Sequence, residues 1–135
     1  MIYHRAIRIE FNHCDPAGIV FYPRYYEMIN AVCENFFREV VGRSFAEMVG
    51  QVQGVPTVRI ETDFQAPSRL GDLLDFQLTI RRLGATSATF RVTAFGAGQL
   101  RLEALITLVW VSGSMKAAPW PEAMKARMLA FVAAS

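Results

Sequence analysis

The sequence predicts an α+β fold: a largely antiparallel five-stranded sheet wrapped around one long helix, plus a short C-terminal helix. Three observations predict it. Residues 23–41 carry an apolar stripe at spacings of three and four, the mark of a helix with one covered face. Five segments alternate with period two, and the last four follow one another through connections too short for parallel crossovers. The long helix is also too apolar to lie on a surface, so the sheet is expected to curl around it.

The elements follow in order. In residues 3–11, Ile7, Ile9 and Phe11 point one way while Arg8 and Glu10 point the other, which reads as a half-buried strand. A polar, turn-forming loop follows, Asn12-His13-Cys14-Asp15-Pro16-Ala17-Gly18. The long helix opens at Pro23, where a missing N–H costs nothing. Its stripe is Tyr26, Ile29, Val32, Cys33, Phe36, Phe37 and Val40. Arg24, Glu27, Glu34 and Arg38 lie off the stripe, and Glu34 and Arg38 stand four apart in the favourable acid-first order. Gly42 terminates the helix, and Ser44 with Glu47 forms a capping box for a short helix over 45–49. Strands are expected at 57–65 through Val58, Ile60 and Phe64, and at 73–83 through Leu74, Phe76, Leu78 and Ile80. Two more are expected at 87–96, through Phe90 and Val92, and at 100–111. The last is apolar on most of both faces and is read as the central strand. Pro119-Trp120-Pro121-Glu122 opens the final helix, with Met124, Met128 and Phe131 facing inward.

At 135 residues the chain has the size of one domain, spanning 1–135. A chain of this length buries roughly two-thirds of its unfolded surface and needs no disulfide or metal staple. Its 53% hydrophobic content exceeds the usual share of about 45–50%. The excess fits a core plus a buried subunit interface, so a homodimer or a dimer of dimers is expected. The net charge of +2 is too balanced for a nucleic-acid or anionic-membrane partner. Twelve of the fourteen basic residues are Arg, whose planar fork suits phosphate. Most of these belong on solvated strand faces, and a few are available for a phosphorylated ligand. Cys14 and Cys33 have no metal-ligand spacing. With no secretory leader at the start, the two thiols point to the cytoplasm. No apolar run approaches a membrane span, and no metal or cofactor motif occurs.

The chemistry concentrates between Asn12 and Tyr26. Asp15-Pro16-Ala17-Gly18 sets a carboxylate in a tight turn just ahead of a helix. A helix start offers free N–H groups and the positive end of a dipole, which polarise a carbonyl or hold an oxyanion. A carboxylate beside it can attack that carbonyl or draw a proton from water. Together they make a minimal acyl-transfer site without serine or histidine. The plainer reading is that Asp15 caps or stiffens its turn. Other candidates have plainer roles still. His13 fits loop stabilisation, His4 an exposed strand position, and Cys33 the core. Cys14 lacks a partnered base as nucleophile, since the adjacent His13 points elsewhere in an extended chain. Glu61, Asp63 and Glu103 alternate with apolar residues and face solvent or an interface.

The run Phe11-Asn12-His13-Cys14-Asp15-Pro16-Ala17-Gly18-Ile19-Val20-Phe21-Tyr22-Pro23-Arg24-Tyr25-Tyr26 resembles the signature of the 4-hydroxybenzoyl-CoA thioesterase family. Ala66-Pro67-Ser68-Arg69-Leu70-Gly71-Asp72 resembles the strand-to-strand corner of the same family. The resemblance implies the hotdog fold and hydrolysis of an aryl- or short acyl-CoA thioester to acid and CoA. It implies Asp15 as nucleophile or general base, and the backbone N–H of Tyr22 as the group that binds the thioester carbonyl. It places Gly18, Phe21, Pro23, Asn30 and Val55 against the substrate, Gly18 because only a residue without Cβ allows close approach. Members strict for a 4-hydroxybenzoyl group are expected to carry an acid where Asn30 stands and a hydroxyl where Val55 stands, so strict hydroxyl selection is not implied here. An arginine pair of the family is absent at Gly84-Ala85, with Arg81 and Arg82 nearby. Two alternatives compete. A hotdog hydratase or dehydratase typically carries His five residues after the catalytic Asp, where this chain has Val20. A non-catalytic acyl-CoA-binding sensor would need an attached module, for which 135 residues leave no room.

Overall fold

The computed structural model describes residues 1–133. Strands β1 (Tyr3–Arg8), β3 (Thr57–Phe64), β4 (Leu73–Leu83), β5 (Ser87–Gly96) and β6 (Gln99–Val109) form a five-stranded sheet in the order β1-β4-β5-β6-β3. Every pairing in it is antiparallel. Helix α1 (Pro23–Phe36) lies between β1 and a short helix α2 (Phe45–Gly50), and α3 (Glu122–Leu129) closes the described chain. This is the hotdog arrangement. Three two-residue strands, β2 (Gln53–Gly54), β7 (Val111–Ser112) and β8 (Lys116–Ala117), form a small second sheet.

The period-two residues do what their spacing requires. Leu74, Phe76, Leu78 and Ile80 of β4, Phe90, Val92 and Ala94 of β5, and Leu102, Ala104 and Ile106 of β6 are all buried. They join one core with Tyr25, Met28, Ile29, Val32, Cys33 and Phe36 of α1. Phe36 packs edge-on against Phe90 at 5.5 Å and against Phe131 at 5.1 Å between ring centroids. Met124, Met128 and Phe131 close that end as expected. No helix among the described residues is long and apolar enough to cross a membrane.

Four local expectations change. The first strand ends at Arg8, because Ile9 leaves the β4 ladder to exchange backbone bonds with the 66–72 corner: Ile9 N–H donates to Asp72 O and Gly71 N–H to Ile9 O, both at 2.8 Å. Ile9 is buried there, but Phe11 falls in a tight turn and is 84% exposed. The long helix widens after Phe36 into a π-type turn over Phe37–Val41, with Gly42 N–H reaching back to Phe37 O at 2.8 Å. The extra residue per turn rotates the covered face, so Val41 rather than Val40 is fully buried. The same widening turns Arg38 from Glu34 toward Asn35 and Glu39. Finally, β6 is internal but lies one strand from the edge, and β5 is central. Half-buried Leu105 and Val109 on its outer face give β6 its doubly apolar look.

Candidate functional site

The loop between β1 and α1 is built from local hydrogen bonds. Gly18 N–H donates to Asp15 O at 2.9 Å, and Asp15 N–H donates to Ile19 O at 3.0 Å. Asp15 and Pro16 at the first two positions of the turn fit a type I bend. Gly18 follows with φ +79, a left-handed conformation that suits glycine. Asp15 Oδ1 also accepts the Ala17 N–H at 2.9 Å, which orients its half-buried carboxylate. The second carboxylate oxygen makes no side-chain hydrogen bond to the described residues. His13 serves the loop: its Nδ1 accepts the Glu10 N–H at 2.8 Å, and its carbonyl accepts the Phe21 N–H at 2.9 Å.

Helix α1 starts with a donor to spare. Pro23 has no N–H, Arg24 N–H bonds Phe21 O at 2.9 Å, and Tyr25 N–H bonds Tyr22 O at 3.1 Å. Tyr22 N–H has no acceptor among the described residues and sits at the positive end of the helix. The Tyr22 ring instead packs outward, edge-on to Phe64 at 6.3 Å and to Phe21 at 5.7 Å. Asp15, Gly18, Phe21, Tyr22 and Pro23 therefore share one short stretch of loop and helix start.

Asn30 and Val55, 25 residues apart in sequence, meet in a cavity of about 590 Å³. Its wall is mostly apolar, including Ile29, Phe45, Met48 and Ile106. Of its polar side chains, the Gln53 carbonyl is engaged by Arg43, the Tyr26 hydroxyl donates to Thr62 Oγ1 at 3.2 Å, and Thr57 lies at the exposed rim on β3. Asn30 is left with its amide free among the described residues. Cys33 also lines this cavity, and burial pushes its thiol up to about 12, so it is a neutral apolar wall group at ordinary pH. Asp15, Gly18, Phe21 and Pro23 do not line this space. Tyr22 lines a neighbouring one of about 330 Å³ with Ile19, Tyr25 and Phe64. Between the two, α1 rests on β3 through the Tyr25–Phe64 and Tyr26–Thr62 contacts. Within one copy the carboxylate, on the loop ahead of α1, and the larger cavity, beside α1, are thus not one enclosed space.

Strand β3 borders both regions and is an open edge, since only β6 pairs with it. Val58 is 61% exposed, Ile60 41% and Phe64 48%. On the outer face of the sheet, Arg59, Arg81 and Arg82 gather around a shallow depression of about 210 Å³. Arg59 pairs with Glu61, while Arg81 and Arg82 make no ion pair among the described residues. No group of three His, Cys, Asp or Glu residues able to hold a metal ion occurs among the described residues.

A family model described as the thioesterase superfamily matches residues 17–102. The chain belongs to the thioesterase superfamily. The matched span starts just after Asp15 and takes in Gly18, Phe21, Tyr22, Pro23, Asn30 and Val55. A curated relative, the 4-hydroxybenzoyl-CoA thioesterase of Pseudomonas sp. strain CBS-3, is 32% identical over 76 residues, which are 55% of this chain and 54% of that one. The chain thus spans about half the length of the curated relative it matches. Among solved structures, a gentisyl-coenzyme A thioesterase is 28% identical with a TM-score of 0.82, covering 93% of this chain and 99% of that one. A 1,4-dihydroxy-2-naphthoyl-CoA thioesterase from Synechocystis is 22% identical with a TM-score of 0.87 over 96% of both chains. A Staphylococcus aureus protein in complex with CoA is 14% identical with a TM-score of 0.90, over 97% of this chain and 84% of that one. The last two show the fold.

The structure brings forward two residues that sequence reasoning passed over. One is Phe64, read only as a strand residue, which packs against both Tyr22 and Tyr25 at the helix start. The other is Arg101, a buried cation on β6 that grips the 66–72 corner. Its signal in the sequence was a charged residue set between Leu100 and Leu102 in an apolar strand, opposite an Asp-bearing corner.

Proposed function

We propose that this chain is a single-domain acyl-CoA thioesterase that hydrolyses an aryl- or short acyl-CoA ester to free acid and CoA. The observation that supports this reading is that one short loop carries both an oriented carboxylate turn, Asp15, and, at the start of α1, a Tyr22 N–H without an acceptor among the described residues. As nucleophile, Asp15 forms a C–O bond to the thioester carbon and the C–S bond breaks, releasing CoA thiolate. Water then cleaves the mixed anhydride. As general base, Asp15 takes a proton from the water that attacks directly. Both routes give acid plus CoA, and in both the Tyr22 N–H steadies the negative charge on the carbonyl oxygen. A donor of that kind is worth about a hundred- to a thousandfold in rate.

The acyl group occupies the cavity bounded by Asn30 and Val55, with Gly18, Phe21 and Pro23 along the approach. A dry cavity of about 150 Å³ already holds a benzene ring. The space here, about 590 Å³, accommodates an aromatic acyl group with room beyond one ring. Arg81 and Arg82, without an ion-pair partner among the described residues and beside Arg59 on the outer face, suit the CoA phosphates. The active form is a homodimer or a dimer of such dimers, joined at the open edge of β3. Three observations support this: an edge strand with exposed apolar side chains is an association surface, it borders the site, and one copy leaves Asp15 outside the acyl cavity. The free thiols Cys14 and Cys33 fit a reducing cytoplasm.

The test is release of free CoA thiol from a panel of thioesters: benzoyl-, 4-hydroxybenzoyl-, naphthoyl- and short aliphatic acyl-CoA. Turnover of the aryl esters supports the reading. Binding of the same esters without thiol release would replace it with the binding-protein alternative.

A further inference from the structure

Arg101 is an anomaly in an otherwise apolar neighbourhood. Its side chain is only 9% exposed. Its Nη1 donates to the Asp72 carboxylate at 2.8 Å, to the Ser68 hydroxyl at 3.1 Å and to the Pro67 carbonyl at 3.2 Å. Its Nη2 donates to the Gly96 carbonyl at 3.2 Å, and its Nε is buried without a partner. The backbone takes part as well, because Arg101 O accepts the N–H groups of Gln65 at 2.8 Å and Ala66 at 3.2 Å. Room for the guanidinium exists because residue 96 is glycine: a Cβ there would stand 2.8 Å from the guanidinium carbon. A buried charge is a poor device for stability alone, since an apolar side chain of similar bulk is often as good or better. What the arrangement supplies is geometry, as five groups of one corner are fixed to a single residue of an internal strand.

That corner is the wall on which the site loop hangs. Val20 N–H donates to Ser68 O at 2.9 Å, Leu70 N–H donates to Gly18 O at 3.1 Å, and Ile19 bridges to Arg69. Asp72 in turn accepts the Arg69 N–H at 2.9 Å, closing the corner on itself. Gly18, Ile19 and Val20 lie on the stretch between Asp15 and Tyr22. We propose that Arg101 is a positioning residue: by holding the 65–72 corner, it fixes the separation between the Asp15 carboxylate and the Tyr22 N–H. Arg101 touches no substrate. This rests on the reading of Asp15 and Tyr22 as the reacting groups.

The test compares Arg101→Lys, Arg101→Met and Gly96→Ala with the parent protein, with Asp15→Asn measured alongside. Lysine keeps the charge but loses the fork that spans several acceptors. The alanine at 96 displaces the guanidinium without removing it. Each is assayed well below its own thermal midpoint, with kcat expressed per folded molecule. A shift of about 1 Å in a catalytic geometry costs about a hundredfold. The expected result is therefore a kcat loss of about ten- to a hundredfold with KM within about threefold. Native-state hydrogen exchange is also expected to speed up at Val20 and Leu70, while α1 and β4–β6 stay protected. A folded Arg101→Lys or Gly96→Ala protein with unchanged kcat overturns the proposal, as does loss of protection spread evenly over the fold. Near-normal turnover in Asp15→Asn overturns the parent reading instead, so the two failures are distinguishable.

Discussion

Replacing Asn30 by Leu should abolish what little selectivity the acyl cavity has for a hydroxylated ring. The amide of Asn30 is the free polar group that faces this space from α1, since the Tyr26 hydroxyl is held by Thr62; the Gln53 carbonyl is held by Arg43, and Thr57 of β3 sits at the exposed rim, where water satisfies its hydroxyl. Val55, across the cavity, offers no hydrogen bond at all. One neutral hydrogen bond contributes about 0.5–1.5 kcal/mol, or roughly two- to tenfold in kcat/KM. A pocket built to bind a hydroxyl behaves differently: it rejects the analogue lacking it by about 10⁴–10⁵, because its own buried polar groups then go unpaired. Leucine is a strong helix former, and position 30 is exposed in one copy, so the substitution spares the fold. The assay is the ratio of kcat/KM for 4-hydroxybenzoyl-CoA to that for benzoyl-CoA. The ratio should be no more than about tenfold in the parent protein and near one in Asn30→Leu. A ratio of a thousandfold or more, or a preference that survives Asn30→Leu, would refute the placement of the acyl group against Asn30 and Val55.

Three further predictions follow from the site and its frame. Tyr22→Pro should fold, because the native φ of −53 suits proline and the lost N–H holds no acceptor, but it should lose about a hundred- to a thousandfold in kcat, whereas Tyr22→Ala keeps most of it. Equal losses in the two variants would transfer the role from the backbone to the ring. The Arg69 N–H and the Arg101 guanidinium hold the Asp72 carboxyl below its usual range, so this group stabilises the fold above its unfolded value of about 3.9 and loses that contribution as pH falls through the folded value. Urea unfolding should therefore show a stability gap between the parent protein and Asp72→Asn at pH 7 that narrows below about pH 4, and a gap that stays constant to pH 3 would contradict the assignment. In sedimentation the protein should remain a dimer or larger at micromolar concentration, and Val58→Asp on the open edge of β3 should weaken that association; a well-folded, active monomer across the same dilution would refute the seam.

Much of this architecture can be read from the chain because the dominant forces are local in sequence. Period-two burial placed β4 and β5 within a residue of where they lie, and the Ser44–Glu47 box placed α2, since caps and alternation depend on near neighbours. The misses have tertiary causes. Ile9 continues an alternating pattern, but the 66–72 corner takes its backbone and ends β1, leaving Phe11 exposed. The π-type turn at Phe37 has no signal in a stripe counted at spacings of three and four, yet it decides that Val41 is buried and that Arg38 faces Glu39. The turn from Asp15 to Gly18 was legible because Asp, Pro and Gly each have a specific place in a tight turn. The pairing of Asn30 with Val55 in one cavity came from resemblance, since nothing in the spacing of two residues on different elements brings them together. Arg101 was legible only as an oddity, because its four acceptors come from segments 5 to 34 residues away.

The central claim is that the Asp15 carboxylate does the chemistry and does not merely shape its turn. Asparagine at this position preserves the turn, since its side-chain oxygen can still accept the Ala17 N–H, but it removes both the nucleophile and the base. The decisive measurement is kcat for CoA release from benzoyl-CoA by Asp15→Asn, on protein whose thermal unfolding matches the parent. Loss of most turnover with the fold intact is the predicted result. Near-normal thioesterase activity in the folded variant would show that Asp15 is a structural turn residue and that the reaction is carried elsewhere.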